Sequence, residues 1–454
     1  MNIFSWLDNI GDAAPQQPPK PRKRNLQQHQ QVPTPSQSTA DTILDAMSSS
    51  PTKRLRTEDD GGENPKDQED QEDKLGRDEE RTPRRWGSGR YSDNLSKRSS
   101  ATSPSKRSSR LSPSKRLAAL EVATHEPVVV TQIRATDPRM PTELIAMVKA
   151  LSGFQTRLPF VPGYLAAEIE TRARIDAEFS DFHPSMFQLA DDPFVPHLSL
   201  DRIMEVYEAA TECCNEGHAE ATWNTLIHWP VFELALGVIR GETLERTSMP
   251  ADGAQRRDHP VRVRAMPCTT ARLKDHQQGA KMVDFSLFIE PQGLDADKIN
   301  ELRQRLLYIN HTDYHPLRRR PIMLSAESKR PGEGYQEAQV QLGVWQAAQW
   351  TLLENLLSSQ SATTRLGLIP FLPALIIQGH EWSFAATTRS GRQTVLWAKK
   401  VIGGTDTIVG MFQIIHALRH IAAWGRDTYW PWYRRAILQM GEEDLIVAEA
   451  IHTP

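Results

Sequence analysis

Cysteine is scarce: Cys213, Cys214 and Cys268 are the three in 454 residues. Three thiols, two of them adjacent in a helical pattern, make no disulfide framework and fit a reducing compartment. They also fall short of a structural zinc set unless histidines join them. No apolar run is long enough to cross a bilayer. The first residues, Met1 to Ile10, have neither a positively charged start nor a small-residue cleavage site. The expectation is a soluble intracellular protein with no membrane association. Neither sign of charge prevails, since the net charge is −3.

Apolar residues are also few, at 39%, and the shortage lies almost wholly in the first quarter. Residues 1–125 are rich in Pro, Gln, Ser, Lys and Asp, and such a stretch cannot bury enough apolar surface to offset its ordering entropy. It reads as a disordered tail, basic over 20–56, acidic over 58–80 and basic again over 81–116. Local blocks set the field, so the near-neutral total does not argue against a nucleic-acid partner. Three pentapeptides repeat in the tail: Ser50-Pro51-Thr52-Lys53-Arg54, Ser103-Pro104-Ser105-Lys106-Arg107 and Ser112-Pro113-Ser114-Lys115-Arg116. They suit a proline-directed kinase, or a basic arm lying along DNA. Lys20-Pro21-Arg22-Lys23-Arg24 and Lys53-Arg54-Leu55-Arg56 are of nuclear-import type. At the start, Ile3, Phe4, Trp6, Leu7 and Ile10 could line one face of a short helix that docks on a protein partner.

Residues 126–454 have ordinary apolar content and the size of one α/β domain. A strand over 128–133 and a helix from Pro141 are expected, then a helix over 199–214. A second helix carries Glu220, Trp223, Asn224, Ile227 and His228 on one face. Strands follow near 260–270 and over Met282–Ile289, with a helix over 295–307 and a strand from Pro321 to Lys329. A long helix spans Glu337 to Leu357, then come strands over 375–387 and 394–401 and a helix over 405–424. Helices interleaved with strands in this order predict a mixed sheet with helices on its faces.

The chemistry concentrates at the end of the Pro321 strand. There Glu327-Ser328-Lys329 follows an apolar run, and side chains two apart on a strand share a face. The earlier strand carries Asp284 in an otherwise apolar run, and a buried carboxylate is costly unless paired or metal-bound. Two carboxylates can hold a divalent metal, and the lysine can position a water or offset developing charge. That combination can cut a phosphodiester. Each piece has a plainer reading: Asp284 as a strand-end acid facing water, Glu327 and Lys329 as a surface ion pair, Glu220 and Gln341 as ordinary polar helix residues. Glu72-Asp73-Lys74 repeats the triplet inside the charged tail, with no strand before it. His228, His311, His315 and His380 could serve as further bases or as satisfied structural residues. Tyr314 and the tryptophans over 424–432 could stack on bases or fill the core.

The order helix acid, strand acid, acid-x-Lys strand, then a helix with Gln341-x-x-x-Trp345 resembles the PD-(D/E)XK nuclease superfamily. Trp345 stands where its RecB-like branch has tyrosine. Further wording is similar to that of a fungal PD-(D/E)XK nuclease-like family. It includes Trp223-Asn224-x-x-x-His228, Lys281-Met282-Val283-Asp284-Phe285, Asn310-His311-Thr312-x-Tyr314, Gln378-Gly379-His380-x-Trp382 and Tyr429-Trp430-x-Trp432. The resemblance implies a restriction-endonuclease-like α/β/α core with a mixed central sheet. It implies Mg²⁺ or Mn²⁺ on Asp284 and Glu327, and Lys329 orienting the attacking water. Glu220 would reach the metal through water or fix Lys329, with Glu233 the alternative helix acid, and Gln341 would hold a water or phosphate. It further implies a nuclease acting on nucleic acid, DNA before RNA, or an inactive fold retained as a nucleic-acid- or protein-binding module. An insertion of roughly thirty residues separates the acid strands, which long loops tolerate, and Val283 replaces the usual proline before the first acid.

Overall fold

A computed structural model describes residues 112–189, 195–237, 261–274, 283–358 and 367–445. Runs rich in Val, Ile, Leu and Thr form the strands, as their preference for a half-buried pleated surface requires. These are β1 Val128–Thr131, β2 Arg262–Pro267, β3 Phe285–Glu290, β4 Ile322–Lys329, β5 Leu372–Gln378, β6 Glu381–Ser390 and β7 Gln393–Gly404. They make one seven-stranded sheet in the order β1-β7-β6-β5-β4-β3-β2. The pairs β1–β7 and β4–β5 are parallel. The remaining neighbours are antiparallel. This is the mixed sheet that the order of elements predicts.

Helices cover both faces. On one side α2 Thr142–Phe154, α4 Leu200–Asn215, α6 Trp229–Leu236, α9 Ile408–Trp424 and α10 Trp430–Ala436 build the larger core with Leu287, Leu324, Leu375 and Phe384 from the sheet. On the other side α8 Tyr335–Ser358 packs Ala338, Leu342 and Trp345 against Ile322, Ala374, Ile376 and Ala385. The remaining helices are α1 Pro113–Glu121, α3 Ala166–Ala173, α5 Glu220–Trp223 and α7 Gly293–Leu306. The crossover β4–α8–β5 joins two parallel neighbours through a helix, which sets the strand carrying Glu327 beside β5.

Three expectations change. The strand expected over 375–387 is two strands, β5 and β6. Gly379 turns the chain at φ 53°, a left-handed backbone that glycine takes without steric cost. Asp284 sits one residue ahead of β3 rather than within it. Residues 113–121, in the stretch expected to lack structure, form α1. Ser112 caps it, Pro113 opens it, and Arg116 makes two bonds to Glu337 at 2.7 and 2.6 Å. The third Ser-Pro-Ser-Lys-Arg repeat is therefore the start of a helix seated on α8. The other two repeats, both basic clusters and the Trp6 segment lie outside the described residues.

The aromatic segment near the C-terminus belongs to the core. Tyr429, Trp430 and Tyr433 are buried, and the Tyr429 hydroxyl donates to the Ile322 carbonyl at 2.9 Å. Beneath them Arg434 holds Asp295 in a buried two-bond ion pair. Cys213 and Cys268 are buried and Cys214 exposed, all as free thiols. No described helix is long and apolar enough to cross a membrane.

Candidate active site

The antiparallel ladder of β3 and β4 pairs Phe285 with Ala326, Ser286 with Ser325 and Leu287 with Leu324. Asp284 follows at the end of that ladder, where its amide donates to the Ala326 carbonyl at 3.0 Å, off the register of the preceding pairs. The two acids expected to act together lie close enough for the charge of Asp284 to act on the Glu327 carboxyl.

Each carboxylate is held differently. One oxygen of Asp284 accepts from the backbone N–H and from the hydroxyl of Ser328, both at 2.8 Å. The middle residue of the Glu327-Ser328-Lys329 triplet, to which sequence reasoning gave no part, therefore anchors the strand acid. Glu327 is only 2% exposed. Its Oε1 accepts from the Lys329 ammonium at 2.5 Å, while its Oε2 is buried and has no hydrogen-bond partner among the described residues. Burial, then the charge of Asp284, raises the Glu327 carboxyl well above its ordinary value, although Lys329 opposes the shift.

The lysine closes the group. Besides Glu327, its Nζ donates to the Ser328 carbonyl at 2.6 Å and lies 3.6 Å from Glu220. Burial acts to lower the Lys329 ammonium, but Glu327, Glu220 and Asp284 outweigh it and the net shift is upward. Glu220 itself is raised, first by burial and then by Asp284, with Lys329 pulling the other way. Of the two helix acids weighed from the sequence, Glu220 is the one the structure brings to Lys329. Glu233 lies more than three turns further along the helical run, in α6.

The fourth element is α8. Its residue Trp345 donates from Nε1 to the Ser325 hydroxyl at 2.9 Å, and Gln349 donates to the Ile322 carbonyl at 2.8 Å. The helix thus runs back along β4 with its N-terminal end toward Lys329. Gln341 is one turn before Trp345 on the same face, which places it toward the Glu327 end of the strand, half-buried.

The histidines divide by surroundings. His228 is fully buried between Asn224 and the Gly379 carbonyl. His311 is buried edge-on against Trp345, and burial pushes its imidazole down to about 3. The Nδ1 atom of His380 lies 3.0 Å from the Thr405 hydroxyl. His315 contacts Arg318 at the surface.

Does the donor set fit a divalent cation? Among the described residues no three His, Cys, Asp or Glu side chains gather as a metal cluster. Two carboxylates do lie within each other's field, one with a buried oxygen that no described group satisfies. A buried carboxylate oxygen without a partner is costly, and hard oxygen donors are what Mg²⁺ takes. The residues fit such a group.

No curated protein and no solved structure matches the chain. A family model described as the PD-(D/E)XK nuclease superfamily matches residues 168–430, a span that begins in α3, ends at Trp430, and contains Glu220, Asp284, Glu327, Lys329 and Gln341. The chain belongs to the PD-(D/E)XK nuclease superfamily.

Proposed function

We propose that this protein is a Mg²⁺- or Mn²⁺-dependent nuclease that hydrolyses phosphodiester bonds. The observation that carries the reading is the buried Oε2 of Glu327, without a hydrogen-bond partner among the described residues, near Asp284 and on the carboxylate whose other oxygen meets the Lys329 ammonium. An acid kept in that state has little structural value, because a hydrophobic residue of similar volume would cost less.

In this reading Asp284 and Glu327 hold the cation, and a main-chain carbonyl next to Glu327 can add a further oxygen ligand. The bound ion would polarise a phosphate oxygen and acidify a water. Lys329 carries the one cationic side chain bonded to Glu327 among the described residues, and it would orient the attacking water or offset charge on the pentacovalent phosphorus. Glu220 would hold the ammonium from the helix side. Gln341 would take a phosphate oxygen or a water from the α8 side. Cation binding would favour the charged form of Glu327, since ligation needs the carboxylate.

The tail supports the rest of the proposal. Basic blocks over 20–56 and 81–116 would supply phosphate contacts for a nucleic-acid partner, DNA before RNA, and two import-type clusters suit the nucleus. The Trp6 segment would dock a protein partner. The motifs from Trp223-Asn224 to Tyr429-Trp430 support placement in the fungal branch of the superfamily.

The test is cleavage. Full-length protein with Mg²⁺ or Mn²⁺ is given single- and double-stranded DNA and RNA, beside Asp284→Ala and Lys329→Ala. The expected result is metal-dependent cleavage by the parent and a loss of about 10³-fold or more in either variant. Products from all three proteins at equal rates would expose a contaminant. Full-length binding to the same panel without any cleavage would favour the non-catalytic alternative, a nuclease fold retained as a binding module.

A further inference from the structure

His228 is 0% exposed, yet its imidazole is fully engaged. Its Nδ1 lies 2.8 Å from the Asn224 side-chain oxygen and its Nε2 lies 3.0 Å from the Gly379 carbonyl oxygen. Burial pushes the ring down to about 4, so it is neutral at ordinary pH and carries one N–H. The Gly379 carbonyl can only accept. The proton therefore sits on Nε2, Nδ1 accepts, and the Asn224 amide turns its nitrogen toward the ring, a swap of two near-identical atoms.

Both ends of this contact lead to Lys329. The Gly379 N–H donates to the Lys329 carbonyl at 3.0 Å. Gly379 packs closely on the lysine loop, since a Cβ there would meet Pro331 at 2.3 Å, and its backbone is left-handed at φ 53°. In the other direction, one helical run carries His228 and, two turns earlier, Glu220, whose carboxylate meets the Lys329 ammonium at 3.6 Å. Residues 224–228 of that run form a widened π turn, a feature frequent at functional sites. Trp223 and Trp382 pack beside the imidazole, with ring centroids 5.8 and 5.7 Å away, and keep water from the bond. The result is a closed circuit: Glu220, its helix, His228, Gly379, the Lys329 main chain, the Lys329 ammonium, and Glu220 again.

We propose that His228 is a positioning residue, fixing the Lys329 main chain through Gly379 so that the ammonium meets Glu220 and Glu327 together. Its consequence for turnover rests on the nuclease reading; the positioning itself does not. A merely space-filling ring would tolerate loss of the Nε2 donor. A positioning ring would not, because a displacement near 1 Å at a reacting group costs up to ~10²-fold in rate.

The experiment compares His228→Phe, which keeps the ring and loses the donor, with His228→Gln, which restores an N–H. Three quantities are read on the full chain: backbone amide exchange of the Gly379 turn, the extent of Lys329 acylation at one fixed pH, and kcat against KM. Phe at 228 is expected to speed exchange and raise Lys329 labelling several-fold. It should lower kcat by roughly 10- to 100-fold with KM within about threefold, and Gln should reverse most of each change. If the Phe variant does not fold, Asn224→Leu removes the group that orients the ring and carries the same expectations. Unchanged exchange and labelling in the donor-less variants, or equal damage from Phe and Gln, would overturn the proposal. If the parent cuts nothing while exchange and labelling respond as stated, the nuclease reading fails and the positioning role stands.

Discussion

Replacing Asp284 by Asn should stabilise the metal-free protein at neutral and alkaline pH. Asp284, one residue past the end of the β3–β4 ladder, lies close enough to Glu327 for its charge to raise that carboxyl. Two negative charges about 5 Å apart repel by about 3 kcal/mol at an effective dielectric of 20. Asn can still accept from the Ser328 amide and hydroxyl, now without charge assistance, at a cost of about 1 kcal/mol. The net expectation is a gain of about 1–2 kcal/mol. Its pH dependence follows from the raised Glu327 carboxyl. Below the unfolded value of 4.5 Glu327 is protonated in both states and the substitution gains nothing through it. As pH rises past 4.5 the unfolded chain gives up the proton first, so the parent loses stability until Glu327 ionises in the native protein too. The variant, relieved of the Asp284 charge, loses less. Urea unfolding without metal at pH 4 and pH 8 measures this. A variant less stable than the parent at pH 8, or a gain of the same size at both pH values, would refute the argument.

Other substitutions probe the same framework. Lys329→Met strands Glu327 beside Asp284, and a loss of about 3–5 kcal/mol is expected at pH 8 with much less at pH 4, read by urea unfolding at both. Gly379→Ala forces a Cβ against Pro331 at a left-handed φ, and a drop of several degrees in Tm is expected by calorimetry. Arg434→Met leaves Asp295 buried without its partner, and should cost about 3–5 kcal/mol while leaving cleavage by the folded fraction unchanged.

The parts of the site legible in the sequence were those set by period two. A run such as Ile322-Met323-Leu324-Ser325-Ala326 ending in Glu327-Ser328-Lys329 declares a strand whose last acid and lysine share a face. Asp284 at the head of Phe285–Glu290 declares a second. The helix face with Gln341 and Trp345 was equally plain, and Trp345 now has its partner in Ser325. What failed was punctuation. Leu375 to Thr387 carries strand-forming residues on both sides of Gln378–Glu381, and Gly379 with His380 turns the chain there in two residues, too short a signal against the surrounding strand propensity. The helix at Pro113 was hidden because its nine residues share the composition of the tail, and contacts such as that of Arg116 with Glu337, 221 positions away, separate them. Long-range contacts of that kind have no local signature. The same holds for His228, whose spacing from Glu220 was visible while its hold on Gly379, 151 residues later, was not.

The central claim is that Asp284 and Glu327 together hold a divalent cation. Titration calorimetry of Mn²⁺ into the metal-free full-length protein, repeated over a range of pH, tests it most directly. Binding by the parent that strengthens as pH rises is expected, because ligation needs the Glu327 carboxylate and burial and Asp284 raise that group, with no measurable binding by Glu327→Gln. Binding of equal strength by parent and Glu327→Gln, or binding by the parent that does not strengthen with pH, would contradict it.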